Sequence, residues 1–355
     1  MRWEHLEIER QQAATLPGYR EQATVRRFDA PEALDMRFYE VRAKTVLNRV
    51  PPKSQMPFRW TINPYRGCSH ACVFCFARPT HTYLGFDAGR DFEREIVVKV
   101  NAPEAARAEL SRPRWRREHV AMGTNTDPYQ WVESKYRLMP GIWEALRDSD
   151  TPCSILTKSP LLLRDADLMV EIADRGIPVY ADLSIPTWDE RAWRATEPHT
   201  PSPKARMEAV AELNRRGIPT GILVAPLMPG INDAPHQLAP LLEAAAEAGA
   251  VQIGGIGLHL RGQVRDVFME WLRSARPDLV GLYEELYEGG AYLPQHERRR
   301  LARLIRAEAR DPAPGNATGE GTQRFEALRA QRRGAAERPE EVKRTPAPAA
   351  QESLF

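Results

Sequence analysis

Three of the four cysteines of this chain fall within eight residues, in the run Cys68-Ser69-His70-Ala71-Cys72-Val73-Phe74-Cys75. Thiolates spaced four and three residues apart converge only if the backbone curls, so the spacing predicts a loop folded over a metal centre. One candidate centre is a zinc ion that takes His70 or His81 as its fourth ligand. The other is an iron–sulfur cluster, usually held by four cysteines, which three cysteines would leave with one iron open to a further ligand.

Three further stretches place polar side chains directly after predicted strands. Residues 123–133 carry hydroxyl, amide and carboxylate groups without a basic residue. Residues 155–160 include Lys158, a cation suited to a carboxylate, and residues 182–186 put Asp182 and Ser184 into an apolar strand. Loops after strands commonly bind ligands. Each stretch also has a simpler interpretation. These are an ordinary turn in residues 123–133, a solvated Lys158, and a buried, hydrogen-bonded Asp182.

Short β-rich runs alternate with helical stretches through the middle of the chain. The first run, at residues 58–63, alternates apolar and polar residues and leads into the cysteine loop. The later predicted strands are Ile96–Val100, His119–Gly123, Cys153–Thr157, Val179–Leu183, Gly221–Leu227 and Val251–Ile256. The predicted helices are Pro103–Leu110, Pro140–Arg147, Leu162–Arg175, Pro203–Arg216 and Pro235–Ala248. This alternation predicts an α/β fold, a partial (β/α) barrel of about six parallel strands, with helical N- and C-terminal extensions.

The barrel interpretation favours the iron–sulfur cluster over zinc. Structural zinc usually stabilises small domains that cannot otherwise fold, whereas this loop follows the first strand of a large α/β array. Active sites of such barrels lie at the carboxyl ends of the strands. No GxGxxG or P-loop motif supports a phosphate-binding alternative.

The predicted boundaries divide the chain into four parts. Residues 1–55 form an N-terminal extension with a helix over Pro31–Leu47, and residues 56–262 form the barrel. Residues 263–310 form a C-terminal helical region, in which Leu301, Leu304 and Ile305 share one helical face. Residues 311–355 are rich in Pro, Ala, Gly, Glu and Arg, a composition typical of disorder.

Composition narrows the class of protein. The chain has 355 residues, is 42% hydrophobic and carries a net charge of +2, so it can form a core and has no overall attraction to polyanions. Its charged start does not resemble a signal peptide, and its longest apolar stretch, Ile218–Met228, is too short for a membrane span. Clustered cysteines without a disulfide framework indicate a reducing compartment. We therefore expect a cytoplasmic protein without membrane contact.

The cysteine loop and its surroundings resemble the spore photoproduct lyase-like branch of the radical S-adenosylmethionine (radical SAM) superfamily. The resemblance extends over roughly residues 58–260 and rests on the segments Asn63–Cys68, Cys75–His81, Gly123–Gln130, Leu156–Ser159 and Ala225–Asp233. It implies a radical SAM enzyme with two cofactors, a [4Fe–4S] cluster and SAM. In this family one electron from the cluster splits the S–C5′ bond of SAM, and the resulting 5′-deoxyadenosyl radical abstracts a hydrogen atom from a substrate.

The resemblance also implies roles for particular residues. Cys68, Cys72 and Cys75 would hold the cluster, and Phe74 would pack near the SAM adenine. The remaining implied SAM contacts are Thr124, Asn125, Asp127, Thr157, Lys158, Ser159 and Ser184.

One difference limits the resemblance. Spore photoproduct lyase uses a cysteine late in its chain as a hydrogen-atom donor, whereas no cysteine here lies beyond Cys153, which is expected to be a small buried residue. The DNA-repair reaction is therefore only an alternative, for an enzyme lacking the late cysteine. Too few thiols remain for a second cluster.

The sequence gives less direct information about binding partners. A radical SAM enzyme needs a one-electron donor, for which a flavodoxin- or ferredoxin-like protein is expected. Nucleic acid would suit two arginine-rich segments, 112–117 with Trp115 available for base stacking, and 298–306. The principal hypothesis is thus a radical SAM enzyme acting on an unidentified substrate. The competing hypothesis is a zinc-stabilised nucleic-acid-binding protein without radical chemistry.

Overall fold

The computed structural model describes residues 8–28, 35–54 and 56–308, which contain twelve strands and eleven α-helices. The strands are β1 (Ile8–Ala14), β2 (Ala23–Phe28), β3 (Arg37–Val41), β4 (Leu47–Arg49), β5 (Trp60–Ile62), β6 (Tyr65–Arg66), β7 (Glu95–Lys99), β8 (Val120–Met122), β9 (Cys153–Thr157), β10 (Val179–Ser184), β11 (Thr220–Leu227) and β12 (Ile253–Gly257). The helices are α1 (Arg90–Arg94), α2 (Ala102–Leu110), α3 (Glu133–Tyr136), α4 (Leu138–Asp148), α5 (Ala166–Asp174), α6 (Glu190–Thr196), α7 (Pro203–Arg215), α8 (Pro235–Glu247), α9 (Gln263–Ala275), α10 (Val280–Leu286) and α11 (Gln295–Glu308).

Six parallel strands form the barrel sheet, in the order β12-β11-β10-β9-β8-β5, and β4 adds an antiparallel edge beyond β5. The sheet does not close, since β12 and β4 do not pair. The predicted partial (β/α) barrel of about six parallel strands is therefore confirmed. Because the strands run the same way, all the loops after them lie at one end, which we call the upper end.

A second sheet, absent from the sequence prediction, has the order β1-β2-β3-β7-β6. It takes in the predicted strand Ile96–Val100, which pairs as β7 with β3 and not with a barrel strand, so its assignment to the barrel is wrong. The strand signal was right, but period-two patterning does not say which sheet a strand joins. Since β6 directly precedes the cysteine loop, this sheet fixes where the loop begins.

The predicted helix over Pro31–Leu47 is also wrong within the described residues. Arg37–Val41 is strand β3, paired antiparallel with β2 and parallel with β7. Phe38, Tyr39 and Val41 are buried in it, and aromatic and β-branched residues suit a pleated, half-buried surface. The apparent helical spacing was incidental, because pairing on both edges satisfies the backbone. Residues 29–34 of the segment lie outside the described part.

Each barrel strand separates two environments, because successive side chains point to opposite faces. On β10, Ala181 and Leu183 join the main hydrophobic core with helix residues such as Trp143 and Ile172, all at most 1% exposed. Burying a side chain of this size contributes about 2 kcal/mol. The opposite face of the strands does not belong to that core, and we call it the lumen face; its members include Ser154, Leu156, Lys158, Tyr180, Asp182, Ser184, Gly221, Leu223, Gln252, Gly254 and Ile256.

The predicted helices agree with the structure, except that one of them is divided into two elements. Pro103–Leu110, Pro140–Arg147, Pro203–Arg216 and Pro235–Ala248 correspond to α2, α4, α7 and α8, whereas Leu162–Arg175 splits into a 3₁₀ turn, Pro160–Asp165, and α5. The glycines expected to end helices in the left-handed conformation do so: φ is +75° at Gly176, +80° at Gly217 and +68° at Gly249.

Helices α9 to α11 make up the described part of the predicted C-terminal helical region. Leu301 and Ile305 of α11 are buried as expected and pack towards the glycines of β12. In the described part of the chain, no helix is both long and apolar enough to cross a bilayer. The tail predicted to be disordered, residues 311–355, lies outside the described residues.

Candidate active site

The cysteine loop leaves β6 and turns back on itself. Ala71 adopts φ +54°, a left-handed conformation unusual for a residue with a side chain, and the Cys75 N–H donates to the Cys72 carbonyl at 3.2 Å. The Val73 N–H donates to the carbonyl of Thr196 at 3.1 Å, which ties the loop to the end of α6. The curled backbone that the spacing predicted is therefore present.

Gly67 allows this loop to approach α1 closely. It adopts φ +79°, and a Cβ there would lie 2.9 Å from the Phe92 carbonyl oxygen. That same oxygen accepts the Cys68 N–H at 2.9 Å. A side chain at position 67 would displace the first cysteine, so the glycine is needed for more than its backbone freedom.

Arg78, which the sequence analysis did not single out, braces the loop from inside. It is fully buried and its guanidinium donates to the Cys72 carbonyl at 2.9 and 3.1 Å and to the Gly89 carbonyl at 2.8 Å. Glu93 pairs with its charge. A five-donor planar cation can hold several carbonyls at fixed angles, which a lysine could not do.

The three thiols are free, with Cys68 and Cys72 buried and Cys75 half-buried. Burial raises the pKa of the Cys75 thiol to about 11 and that of Cys72 well above its ordinary value. Metal ligation requires the thiolate, so binding of a metal centre here releases protons. The buried Ser69 hydroxyl in the same loop makes no hydrogen bond to a described residue.

The loop offers three thiols, and a single zinc ion would need a fourth donor. Within residues 8–28, 35–54 and 56–308 no group of three or more His, Cys, Asp or Glu side chains is already arranged around one metal position, which applies to zinc and to a cluster alike. His81 points its Nε2 at the Glu95 carbonyl, 2.8 Å away, and its ring stacks on Phe86. Three thiols around a larger, polynuclear group fit the donor set better.

Asp127 joins the cysteine loop to the end of β9. It accepts the Thr157 hydroxyl at 2.6 Å and the Lys158 backbone N–H at 2.7 Å, and His70 Nδ1 lies 3.3 Å from it. Burial opposes its ionisation, but His70 and these hydrogen bonds lower the pKa of Asp127 overall. Asp127 and Thr157, both predicted SAM contacts, are thus engaged with the protein itself.

The predicted contacts Thr124 and Asn125 gather around Asn63, which immediately follows β5. The Thr124 hydroxyl and the Asn63 amide are 3.2 Å apart, and the Asn125 N–H donates to Asn63 Oδ1 at 3.2 Å. Gln130 then secures this loop to the cysteine loop by accepting the Ser69 N–H at 2.9 Å. The loops after β5 and β8 are therefore one hydrogen-bonded unit.

Lys158, Ser184 and Phe74, predicted from three separate segments, come together. Lys158 Nζ donates to the Ser184 hydroxyl at 2.8 Å and lies 5.6 Å from the centre of the Phe74 ring. Ser159 instead accepts the Leu161 N–H at 3.2 Å and caps the 3₁₀ turn. The ammonium of Lys158 thus stands beside the cysteine loop at the upper end of the barrel.

Two buried charges beside Lys158 were not anticipated from the sequence. Glu197 pairs with Lys158 Nζ at 2.6 Å and with Arg206 Nη1 at 3.0 Å, and neither Glu197 nor Arg206 has exposed side-chain surface. Burial opposes ionisation of Glu197, yet Arg206 and Lys158 lower its pKa. One carboxylate between two cations leaves one net positive charge, next to Ser184 and Phe74. This group of three is called the charge triad below.

The two arginine-rich segments lie at different ends of the barrel. Residues 112–117 precede β8 and so lie at the lower end, where Trp115 packs edge-on against Trp60 and donates to Thr151 at 2.8 Å. Trp115 is half-buried in the lower end, and its stacking on a nucleic-acid base stays a prediction. Arg298, at the start of α11, and Arg261 lie near His259 after β12, and their charges, after burial, lower the pKa of His259.

Comparison with known proteins gives a consistent picture. The sequence model of the radical SAM superfamily matches residues 62–242. An uncharacterised protein of Mycobacterium tuberculosis is 48% identical over 290 residues, which cover 82% of this chain and 85% of that protein. A radical SAM Nα-GlyT isomerase of Pseudomonas phage M6 is 30% identical over 169 residues, covering 47% of this chain and 33% of that enzyme.

Among solved structures, a mutant spore photoproduct lyase with bound AdoMet and dinucleoside spore photoproduct aligns with a TM-score of 0.57. The alignment covers 78% of this chain and 79% of that chain at 17% identity. At this identity the likeness concerns the fold, and it extends beyond the barrel.

Proposed function

Because the chain belongs to the radical SAM superfamily, whose members are enzymes that use SAM and an iron–sulfur cluster, we propose that its cluster is of the [4Fe–4S] type, held by Cys68, Cys72 and Cys75. Three protein ligands leave one iron for the amino and carboxylate groups of SAM. When bound and reduced, the cluster supplies one electron that cleaves SAM to methionine and a 5′-deoxyadenosyl radical. The reaction proposed is hydrogen abstraction by that radical from a substrate.

The observation that carries this proposal is the pairing of two features at the upper end of the barrel. Three free thiols lie on one curled loop, and the charge triad beside that loop has one unneutralised positive charge. The amino-acid portion of SAM carries a carboxylate, which Lys158 can pair with. The buried Phe74 ring, 5.6 Å from Lys158 Nζ, adds an apolar surface to this side of the pocket.

We further propose a flavodoxin- or ferredoxin-like protein as the electron donor. Phe76, directly after Cys75, is 62% exposed, so an apolar side chain reaches the surface beside the cluster loop. Electron-transfer encounters are small and transient, and one exposed aromatic residue near the redox centre suits such a contact.

Cysteine substitution with a matched control tests the function. Cys72→Ala should abolish both the brown iron–sulfur absorption of anaerobically reconstituted protein and the formation of 5′-deoxyadenosine from SAM under reduction. Cys153→Ala should retain both, because Cys153 is fully buried at the start of β9, at the lower end of the barrel. Iron analysis should give about four irons per chain for the Cys153 variant. Loss of the cluster in that variant, or a fully protein-ligated cluster indifferent to SAM in the wild type, would refute the assignment.

The alternatives draw less support. Burial raises the pKa of the Cys153 thiol, and its place at the start of β9 puts it at the lower end, so it does not replace the late cysteine of a photoproduct lyase. Nucleic acid as a partner is favoured by one observation: Arg298, Arg299 and Arg261 are exposed at the upper end and form no ion pair with any described residue. We propose polyanion docking there, in addition to radical chemistry and not in place of it.

A further inference from the structure

The lumen face of β10 places a carboxyl group directly below the charge triad. Asp182 precedes Ser184 by two residues, so both side chains point into the lumen, about 7 Å apart along the strand. Ser184 accepts a hydrogen bond from Lys158, which fixes the upper layer of the lumen. Asp182 therefore lies one layer deeper than the proposed SAM pocket, on the same open face.

The neighbouring strands are arranged around this carboxyl group. Gln252, just before β12, donates from Nε2 to Asp182 Oδ1 at 2.7 Å. Gly221 of β11 is the direct pairing partner of Asp182, and a Cβ there would lie 2.8 Å from the same oxygen. Glycine inside a strand weakens it and often marks the close approach of another group. Here the missing side chain leaves room for the carboxyl group.

No charge within the described residues balances Asp182. It forms no ion pair with a Lys, Arg or His of residues 8–28, 35–54 and 56–308, and its direct neighbours in the sheet, Leu156 and Gly221, are uncharged. Burial raises the pKa of Asp182 to about 6, an effect that the Gln252 hydrogen bond only partly offsets. A carboxylate so placed costs stability unless another donor reaches it.

Apolar side chains flank Asp182 on the neighbouring strands, whereas Ser154 and Tyr180 place polar groups one layer below it, where both bond His119. Leu156 and Leu223 flank Asp182 on β9 and β11, are only partly buried and do not belong to the main core. Ile256, on the open edge strand β12, is 44% exposed, and Gly254 below it adds no side chain. The flanking walls would accept an apolar body, and the Asp182–Gln252 pair would orient it.

We propose that Asp182, positioned by Gln252 over Gly221, recognises a nitrogen hydrogen-bond donor of the substrate, an amine, guanidine or amide N–H group, and excludes an anionic group at this depth. Charge-assisted hydrogen bonds to a buried carboxylate are strong and directional. Asp182 is a recognition residue in this assignment and takes no part in SAM cleavage. Its role as a substrate contact rests on the proposed function, but the binding of a donor to it can be measured independently.

Carbodiimide labelling of the full-length protein with glycinamide, quantified by peptide mass spectrometry, tests this assignment. Methylguanidinium is the probe, and tetramethylammonium, a cation without N–H donors, is the control ligand. We expect saturating methylguanidinium to reduce labelling of Asp182 by about tenfold, the effect of one charge-assisted hydrogen bond. Labelling of the exposed Asp266 should not change with either cation. Gln252→Leu should weaken the protection, because it removes the group that orients the carboxyl.

Three results would overturn the assignment. Failure of Asp182 to react while Asp266 does would mean that the carboxyl group is sealed off and structural. Equal protection by both cations would mean that charge alone, and no N–H recognition, is involved; absence of protection by either would remove the site. Labelling requires neither cluster nor SAM, so failure of the cysteine experiment and failure of this one are distinct.

Discussion

A single buried glutamate determines how the proposed SAM pocket is charged. Glu197 lies between Lys158 and Arg206, and two cations on one carboxylate leave a positive charge that a ligand carboxylate can take up. Burying an ion pair is costly, and removing one partner exposes the full desolvation penalty of the other. The charge of the pocket therefore depends on all three groups, but the loss of each should affect a different property, either ligand binding or the stability of the fold.

Substitution of Lys158 and of Glu197 should separate binding from stability. Lys158→Met leaves a neutral Glu197–Arg206 pair, so the fold and the cluster absorption should persist while SAM affinity, measured by equilibrium dialysis, falls by at least about tenfold. Glu197→Gln leaves two buried cations facing each other, so the free energy of unfolding in urea should fall by about 3 kcal/mol. Lys204→Met, on the exposed face of α7, is the control and should change neither quantity. Wild-type SAM affinity in Lys158→Met would contradict the assigned role.

Sequence reasoning singled out Lys158 of the charge triad and missed the other two residues. Lys158 follows a strand and resembles a family motif, which made it visible. Glu197 and Arg206 lie in the segment around α6 and α7, where charged residues usually face solvent, and only tertiary pairing makes them buried. Asp127 and Ser159, both predicted as cofactor contacts, make internal hydrogen bonds that hold the loops in place, and their contact with SAM stays a prediction.

At the scale of the elements, the loops after β5, β8 and β9 are held together by short polar contacts and one close backbone approach. Gly123 ends β8 with φ +80°, and a Cβ there would overlap the Leu156 carbonyl oxygen of β9. The loop that follows Gly123 carries Asp127 and Gln130, which reach β9 and the cysteine loop. The position of this glycine thus governs the geometry of three loops.

A pair of glycine substitutions tests this dependence. Gly123→Ala should lower the free energy of unfolding by about 4 kcal/mol, because it adds steric overlap with the backbone of β9 to the left-handed backbone strain. Gly217→Ala is the matched control: its φ is also +80°, but a Cβ there would meet nothing within 4 Å, so only the strain of about 1–2 kcal/mol should appear. Urea denaturation measures both. Equal losses in the two variants would show that close packing at Gly123 is unimportant.

The elements themselves were largely predictable, and their partners were not. Alternation of strands and helices gave the six-stranded barrel correctly, because parallel strands joined by helices admit few arrangements. The strand Glu95–Lys99 was recognised but pairs with β3 outside the barrel sheet, and β3 was mistaken for a helix. Pairing over more than fifty residues depends on which edges remain open in the folded chain, which local pattern does not record.

The two ends of the barrel differ in the residues they carry. The upper end collects the cysteine loop, the charge triad and the mouth of the lumen, whereas the lower end holds packed side chains such as Trp115 and Trp60. Both ends carry exposed arginines, and a net charge of +2 gives no general attraction to polyanions. Any functional contact with nucleic acid should therefore depend on which end the arginines occupy, since only the upper end leads to the cluster.

Paired arginine substitutions at the two ends should distinguish these surfaces. Arg298→Ala with Arg299→Ala removes two exposed cations at the start of α11, near Arg261, and should weaken binding of a short single-stranded oligonucleotide. Each lost phosphate contact should reduce the slope of log affinity against log salt by about 0.7. Arg112→Ala with Arg114→Ala removes the same charge from the lower end and should leave both affinity and slope nearly unchanged. Fluorescence anisotropy over a series of salt concentrations measures both quantities. Equal losses of affinity in the two double variants would indicate unspecific attraction of the oligonucleotide to arginine. An affinity that does not change with salt concentration would contradict docking of a polyanion at the mouth of the barrel.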